Sequence, residues 1–367
     1  MKIGLVKEIK EEEYRVGLTP AGAAEYIAHG HTVAVEAGAG AGSGFADAEY
    51  AAAGCMIVAD RRRLFDDAEM IIKVKEPLPE EFALFHDGQI LYTYLHLAPD
   101  RAQTDALLKA KVIAVAYETL MEDDGSLPLL APMSQIAGRM AVQEGAKYLE
   151  RPFGGRGVLL GGVPGIPKGK IAILGAGVAG SNACRTAVGI GASVTILDIN
   201  PHRLVEIENI FGNAVQTLYA NSANIHAAIH DADLVIGAVL VPGASTPKLV
   251  RHSDLRGMKP GAVMVDIAID QGGCFETSHP TYHTKPIFTV DNIVHYCVAN
   301  IPGAVALSST LALTSVTARY GLMIADQGIK AALKHHTIRT GLNCWRGKLT
   351  NKAVAEAHHL EYCDRID

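Results

Sequence analysis

Residues 170–200 read KIAILGAGVAGSNACRTAVGIGASVTILDIN, and this stretch decides the fold. A short apolar run, Ile171 to Leu174, breaks into Gly175, Gly177 and Gly180 at G-x-G-x-x-G spacing. A helix-like segment follows, then a second strand-like run, Val194 to Leu197, that ends on Asp198. Each glycine has a mechanical reason: Gly175 permits the tight strand-to-helix turn, Gly177 lets a pyrophosphate approach the backbone, and Gly180 lets helix and strand pack closely. The helix N-terminus faces the phosphates with free N–H groups. Asp198 stands 23 residues after Gly175, where a carboxylate meets an adenosine ribose and repels a 2′-phosphate. The expected cofactor is therefore NAD rather than NADP. Three glycines alone are a weak signal; strand, helix, second strand and terminal acid together are a strong one.

Outward from this unit, alternating strand and helix patterns run in both directions. Upstream, KIGLV, TVAVEAG, AEMIIKV, GQILYTYLH and KVIAVAYETL are separated by helix-length segments such as TPAGAAEYIAHG. Downstream come ADLVIGAVLV, GAVMVDIAID and PIFTVDNIV, as a six-stranded nucleotide sheet requires. The fold class expected is α/β with two doubly wound domains. The polar, Pro-containing stretch EDDGSLPLLAP, Glu122 to Pro132, reads as a crossing, and Ser134 as the N-cap of a helix through Tyr148. The glycine-rich segment 151–170 reads as turns or a short hairpin. After Pro302-Gly303, Leu313, Val316, Tyr320 and Met323 mark a long amphipathic helix with no comparable strand signal beyond it. This divides the chain into a substrate domain, 1–130, an NAD-binding Rossmann domain, 131–304, and returning C-terminal helices, 305–367. The substrate domain is then discontinuous.

Bulk properties exclude several classes. At 367 residues, 49% hydrophobic, the chain has ample apolar surface for two cores. A net charge of -6 offers no basic footprint for nucleic acid. MKIGLVKEIK carries charges that leave no secretory apolar region, and no uninterrupted apolar run reaches spanning length. A cytoplasmic protein with no membrane partner is expected. The six cysteines lack a C-x-x-C and read as reduced, packed thiols. His359 and Cys363 have ligand-like spacing but no second pair, so no metal site is expected, and His335-His336 and His358-His359 read as solvated.

Ligands of open α/β sheets bind at the carboxyl ends of strands, which makes polar residues there the first candidates. Lys75 ends MIIKVK, His96 ends LYTYLH and Asp270 ends VMVDIAID, while Arg15 precedes the Thr19-Pro20 helix start. Singly, each has an ordinary alternative: a solvated lysine, a packing histidine, an aspartate shaping a turn. Together, two cations, a neutral-pH base and a carboxylate suit a small 2-oxo or 2-amino acid.

The chain also carries KEIK with YRVGLTP, KVKEP, YLHLAP, PMSQIAGRMA, GGRGVLLGGVPG, LGAGVAG with LDIN, AIDQGGCFETS, VHYCVANIPGA and GKLTNKAVA. With these motifs it resembles the L-alanine dehydrogenases, of the alanine dehydrogenase and transhydrogenase alpha-subunit family, over nearly its whole length. The resemblance implies an NAD-linked oxidoreductase, typically a homohexamer, with two domains and a cleft between them, acting on L-alanine, pyruvate and ammonium. It implies that Arg15 and Lys75 hold the substrate carboxylate and carbonyl, that His96 is the acid/base and that Asp270 assists. Tyr94, Met133 and Asn300 would lie near substrate, with Tyr94, Met133 and Leu130 shaping a small pocket. Ser134, Gly175, Gly177, Val178, Ala179, Gly180, Asp198, Arg203, Val239, Leu240, Ile267 and Asp270 would contact the cofactor. The sequence departs from the family at Tyr14, Gly17, Ala220 and Ala306-Leu307. Alternatives at this stage are the NAD-binding component of a proton-translocating transhydrogenase, disfavoured by the full Arg, Lys and His set, and a non-enzymatic NAD-sensing module.

Overall fold

The computed structural model describes residues 1–239 and 246–364. It divides into two compact units, Met1–Pro132 joined by the chain from Val305 onward, and Met133–Ala304.

In unit 1, strands β1 (Lys2–Leu5), β2 (Thr32–Glu36), β3 (Met56–Val58), β4 (Met70–Ile72), β5 (Ile90–Thr93) and β6 (Ile113–Ala116) alternate with helices α1 (Pro20–Ala28), α2 (Asp47–Ala52), α3 (Arg61–Asp67) and α4 (Arg101–Lys109). Helix starts follow local chemistry: Thr19 caps α1 ahead of Pro20, while Asp60 and Asp100 cap α3 and α4.

Helix α5 (Ala131–Tyr148) opens the passage into unit 2. There β7 (Lys170–Leu174), β8 (Ser193–Asp198), β9 (Val215–Tyr219), β10 (Leu234–Gly237), β11 (Val263–Asp266), β12 (Ile287–Val290) and β13 (Ile293–Tyr296) are interleaved with α6 (Val178–Gly189), α7 (Pro201–Phe211) and α8 (Ser222–Asp231). The chain returns through α9 (Ala306–Gln327), two short helices, the hairpin β14 (Leu342–Trp345) and β15 (Lys348–Leu349), and a last helix, Lys352–His358.

The first sheet has the order β15-β14-β6-β5-β4-β1-β2-β3, parallel from β6 to β3 with the C-terminal hairpin antiparallel beside β6. The second has the order β12-β13-β11-β10-β7-β8-β9, a doubly wound sheet with its switch between β7 and β10. Interior strands β4, β5, β6, β10, β11 and β13 are buried throughout, as parallel strands covered on both faces must be.

Several expectations need correction, and burial explains most. The segment 287–296 is a hairpin rather than one strand: Asp291 and Asn292 take φ of 47° and 62°, the paired left-handed conformation of a tight turn, and β12 runs antiparallel to β13. Among the described residues the sheet thus has seven strands, not six. Strands β3 and β9 are partly exposed edge strands: β3 is only three residues long, and β9 mixes polar with apolar side chains. The tail adds two strands to unit 1 besides its helices. Ser134 lies inside the first turn of α5 rather than at its cap. Of the two forms expected for segment 151–170, turns or a short hairpin, it takes turns, beginning with a 3-10 turn at Arg151–Phe153. Helix α9 is long and apolar enough to cross a bilayer, but half of that stretch is buried; Tyr92 donates to the Thr317 carbonyl at 3.0 Å, and a Cβ on Gly321 would fall 2.0 Å from the Tyr26 hydroxyl. Five of the six cysteines are buried and all are free thiols. His358 is not simply solvated, since its Nε2 lies 2.8 Å from the Leu97 carbonyl.

Candidate functional site

The candidates fall into two sets, one on each unit. In unit 1, the strands in order β6, β5, β4 and β1 are neighbours and parallel, so their carboxyl ends open on one edge of the sheet. The loops leaving β5, β4 and β1 carry Tyr94 and His96, Lys75, and Arg15.

Arg15 and Lys75 are buried. The Arg15 guanidinium is forked by Glu13: Nε donates to Oε1 at 2.7 Å, Nη2 donates to Oε2 at 2.5 Å, and the Arg15 backbone N–H adds a bond of 3.0 Å. Burial opposes the Glu13 charge, but these bonds and the neighbouring cation outweigh it and hold the carboxyl below its ordinary range. One edge of the guanidinium is thereby aimed and neutralised, a constraint on the bidentate role expected for Arg15.

Lys75 lies three residues beyond β4, and the Thr93 hydroxyl donates to its carbonyl at 2.9 Å. Lys73, unremarked in the sequence, is the fully buried one, bonded to Glu8 at 3.1 Å and Glu81 at 2.9 Å. Burial works against its charge; the two carboxylates prevail and raise its pKa. The Glu8 carboxylate also accepts from the Val74 and Lys75 backbone N–H groups at 2.6 and 3.3 Å, tying the Lys75 loop down.

His96 is exposed, has a φ of 49°, and stacks on Tyr94 with ring centroids 5.9 Å apart and planes 11° apart. Tyr94 is buried; its hydroxyl donates to the Leu129 carbonyl at 2.5 Å, and burial pushes its pKa up, leaving a neutral phenol. Glu76, ion-paired to Lys10, is also part of this group. Burial disfavours its charge, yet Lys75, Lys10 and His96 together hold its carboxyl at about 2. Glu118, after β6, accepts the backbone N–H groups of Leu95 and His96.

In unit 2, the glycine turn after β7 has the geometry the spacing predicts. Gly175 takes a φ of 104°, and a Cβ on Gly180 would fall 1.8 Å from the Gly175 carbonyl oxygen. A Cβ on Gly177 would meet nothing within 4 Å, so the backbone at the start of α6 is open to a ligand. Val178 is exposed and Ala179 half-buried; Gly138 of α5 meets the Ala179 carbonyl so closely that a Cβ would lie 2.0 Å from it. That crossing sets Ser134, one helical turn earlier and half-buried, and Met133, which is buried.

Asp198 ends β8 and accepts from the Ala176 and Asn200 backbone N–H groups at 2.6 and 2.8 Å. Arg203 donates to the Ala176 carbonyl at 2.7 and 3.0 Å and to the Ser181 hydroxyl at 3.0 Å, and pairs with Glu206. Val239 follows β10 and is half-buried, while Leu240 lies outside the described residues. Ile267 and Asp270 follow β11, with Asp270 exposed on the 3-10 turn Ile269–Gln271 rather than at the strand end. Asn300 has a φ of 68°, and its carbonyl accepts from the Gly303 N–H at 2.9 Å.

Sequence reasoning missed Glu13, Lys73, Glu118 and Asp266. Asp266, the last residue of β11, is fully buried and accepts from the backbone N–H groups of Ala268, Cys274 and Phe275 at 3.1, 2.9 and 3.3 Å and from the Ser278 hydroxyl at 2.6 Å. It ties both ends of the loop that carries Asp270, and burial raises its pKa. The strand-end rule that selected Lys75 and His96 applies equally to Glu118 and Asp266. Of the departures, Gly17 packs where a Cβ would come 2.8 Å from Ile72, Tyr14 and Leu307 are exposed, and the Ala220 N–H donates to the Asp198 carbonyl at 3.0 Å.

Two family models match the chain: the N-terminal domain of "Alanine dehydrogenase/PNT" over residues 4–137 and its C-terminal domain over residues 141–352. An alanine dehydrogenase of Methanococcus maripaludis is 54% identical over 364 residues, 99% of this chain and 98% of that one. A solved L-alanine dehydrogenase superposes with a TM-score of 0.95 at 50% identity, covering 97% of this chain and 99% of the other. A transhydrogenase from Sinorhizobium meliloti reaches 0.83 at 25% identity, over 96% and 100%.

Proposed function

The chain belongs to the alanine dehydrogenase/PNT family, and on that premise we propose that it interconverts L-alanine with pyruvate and ammonium using NAD. It is an oxidoreductase acting on a CH–NH2 group, with a nicotinamide cofactor. The single observation that carries the reading further is the edge shared by Arg15, Lys75 and His96, a cationic, base-bearing cluster that a nucleotide-to-nucleotide hydride exchanger has no need of.

The residues present fit a dinucleotide: the open backbone at Gly177, the start of α6, which no side chain caps among the described residues, and a carboxylate at Asp198. Ser134, Gly175, Gly177, Val178, Ala179, Gly180, Asp198, Arg203, Val239, Leu240, Ile267 and Asp270 would hold it. Asp198 is oriented by two backbone N–H groups and retains lone pairs for ribose hydroxyls, whereas Arg203 is committed to the turn and Glu206; both features favour NAD over NADP. A nicotinamide held by these residues would supply the hydride-accepting chemistry at the substrate Cα.

The chain's own residues supply the rest. Arg15, aimed by Glu13, anchors the substrate carboxylate. Lys75 stabilises negative charge as it builds on the 2-oxo oxygen in the amination direction. His96 takes a proton from the water that adds to the imine carbon and returns one to the departing amine, and Asp270 orients that water. Asn300, Met133 and Tyr94 bound the substrate. We place the enzyme in the cytoplasm as a homohexamer. Exposed apolar side chains at Leu159, Val163 and Ile166 in unit 2 and Leu307 and Leu311 on α9 support burial against further subunits.

Following NADH absorbance with NAD or NADP and a panel of small L-amino acids tests this. Turnover of L-alanine with NAD is expected; hydride transfer to an NADP analogue without any amino acid, and none from L-alanine, would favour the transhydrogenase-like activity instead.

A further inference from the structure

We propose that Glu118 is the positioning residue of His96, acting on its backbone rather than its ring; this rests on the reading of His96 as the proton-transfer group. His96 has a φ of 49°, a conformation that side chains other than glycine and asparagine rarely adopt and that persists only when its surroundings over-determine it. Here they do. One oxygen of Glu118 accepts the His96 N–H at 2.7 Å, and both accept the Leu95 N–H, at 3.1 and 3.2 Å. From the other side, the buried Gln103 of α4 donates its amide to the Leu95 carbonyl at 3.0 Å. Two peptides on, the Leu97 carbonyl accepts from Thr104 at 3.3 Å and lies 2.8 Å from the His358 ring. The peptide before His96 is therefore clamped at both its C=O and its N–H, and Glu118 holds the two N–H groups that a left-handed turn leaves without a strand partner.

The consequence lies in the ring. The imidazole of His96 is exposed and stacks on Tyr94, and among the described residues neither ring nitrogen makes a hydrogen bond. Orientation that a carboxylate often supplies by bonding the ring is supplied here through the main chain, which leaves both ring nitrogens free to exchange protons with substrate and water. Releasing the clamp lets residue 96 relax to negative φ and swings the imidazole away. A misplacement of about 1 Å costs on the order of 10²-fold in rate.

The test is steady-state kinetics on the whole enzyme for Glu118→Ala, Glu118→Gln, His96→Ala and the Glu118→Ala/His96→Ala double variant. Glu118→Ala is expected to lower kcat by roughly 10–100-fold while KM for L-alanine and the Kd for NADH move by less than about threefold. Glu118→Gln keeps one acceptor oxygen for the short bond and should stay within about fivefold of the parent, with its pH profile in place. In the His96→Ala background, removing Glu118 should add less than about threefold, because both changes disable one device. Normal kcat in Glu118→Ala with a lowered Tm would overturn the proposal in favour of a purely structural contact. So would a Gln variant as impaired as Ala, or a lost limb of the pH profile, since Glu118 would then handle the proton itself. A fully multiplicative double variant would also overturn it. Should His96→Ala turn over like the parent, the assignment of His96 fails first and the role of Glu118 with it; an impaired His96→Ala beside an unimpaired Glu118→Ala removes only the latter.

Discussion

Two lysines in the motif KVKEP, two residues apart, have different roles. Lys73 is sealed between Glu8 and Glu81, whereas Lys75 continues into the loop at the strand's carboxyl end. Lys73→Met would leave the buried Glu8 without its cation and Glu81 with Arg61 alone, so unfolding in urea should show a loss of about 3–5 kcal/mol. Glu76 gives a pH-dependent counterpart. Its carboxyl sits at about 2 in the folded protein against an ordinary 4.5, because Lys75, Lys10 and His96 outweigh its burial. The unfolded chain takes up the proton first on acidification, so this stabilisation is complete above the ordinary value and disappears as pH falls through about 2. It is worth on the order of 3 kcal/mol. The stability gap between parent and Glu76→Gln should close over that window, and a constant gap would contradict the charge assignment. Asp198→Ser removes the carboxylate proposed to meet the ribose and should relax the proposed preference for NAD over NADP by at least about tenfold in kcat/KM; an unchanged ratio would show that another group makes the choice.

Elements carry the next level of constraint, at places where backbones touch. The turn from β7 into α6 works because Gly180 lets the helix lie against the Gly175 carbonyl, and α5 approaches α6 as closely at Gly138. Gly180→Ala would place a methyl 1.8 Å from that oxygen, which nothing flexible can accommodate. The helix must shift, so stability should fall by about 1–3 kcal/mol. NADH affinity, read by fluorescence titration, should fall with it. The contrasting loops after β5 and β11 are held by carboxylates instead, Glu118 under His96 and Asp266 under Asp270. In both cases a side chain substitutes for strand partners that the backbone has lost, and in both the residue so held is a candidate for chemistry.

At the level of the molecule, two units each close a hydrophobic core around their own sheet, and the first is assembled from both ends of the chain. A ligand that binds only the folded nucleotide unit stabilises that unit by mass action, so NADH at a hundred times its Kd should add about 2.7 kcal/mol to the unfolding free energy seen by calorimetry. No shift would argue against a dinucleotide site. The interior strands and the nucleotide motif were legible in the sequence, because strands covered on both faces must be continuously apolar and a phosphate turn needs glycine at fixed offsets. Edge strands β3 and β9 were not, since β3 is only three residues long and β9 mixes polar with apolar residues; β12 was read as one strand with β13, and β14 is four residues long with an asparagine inside it. The strand-end rule named Lys75, His96 and Asp270, but only the folded chain shows what holds them. Glu118 reaches His96 across 22 residues and Glu8 reaches the Lys75 loop across 67. Local periodicity reports which face a residue turns inward, and it does not encode which distant carboxylate the packed sheet sets beside it; that pairing exists only once the strands have taken their order.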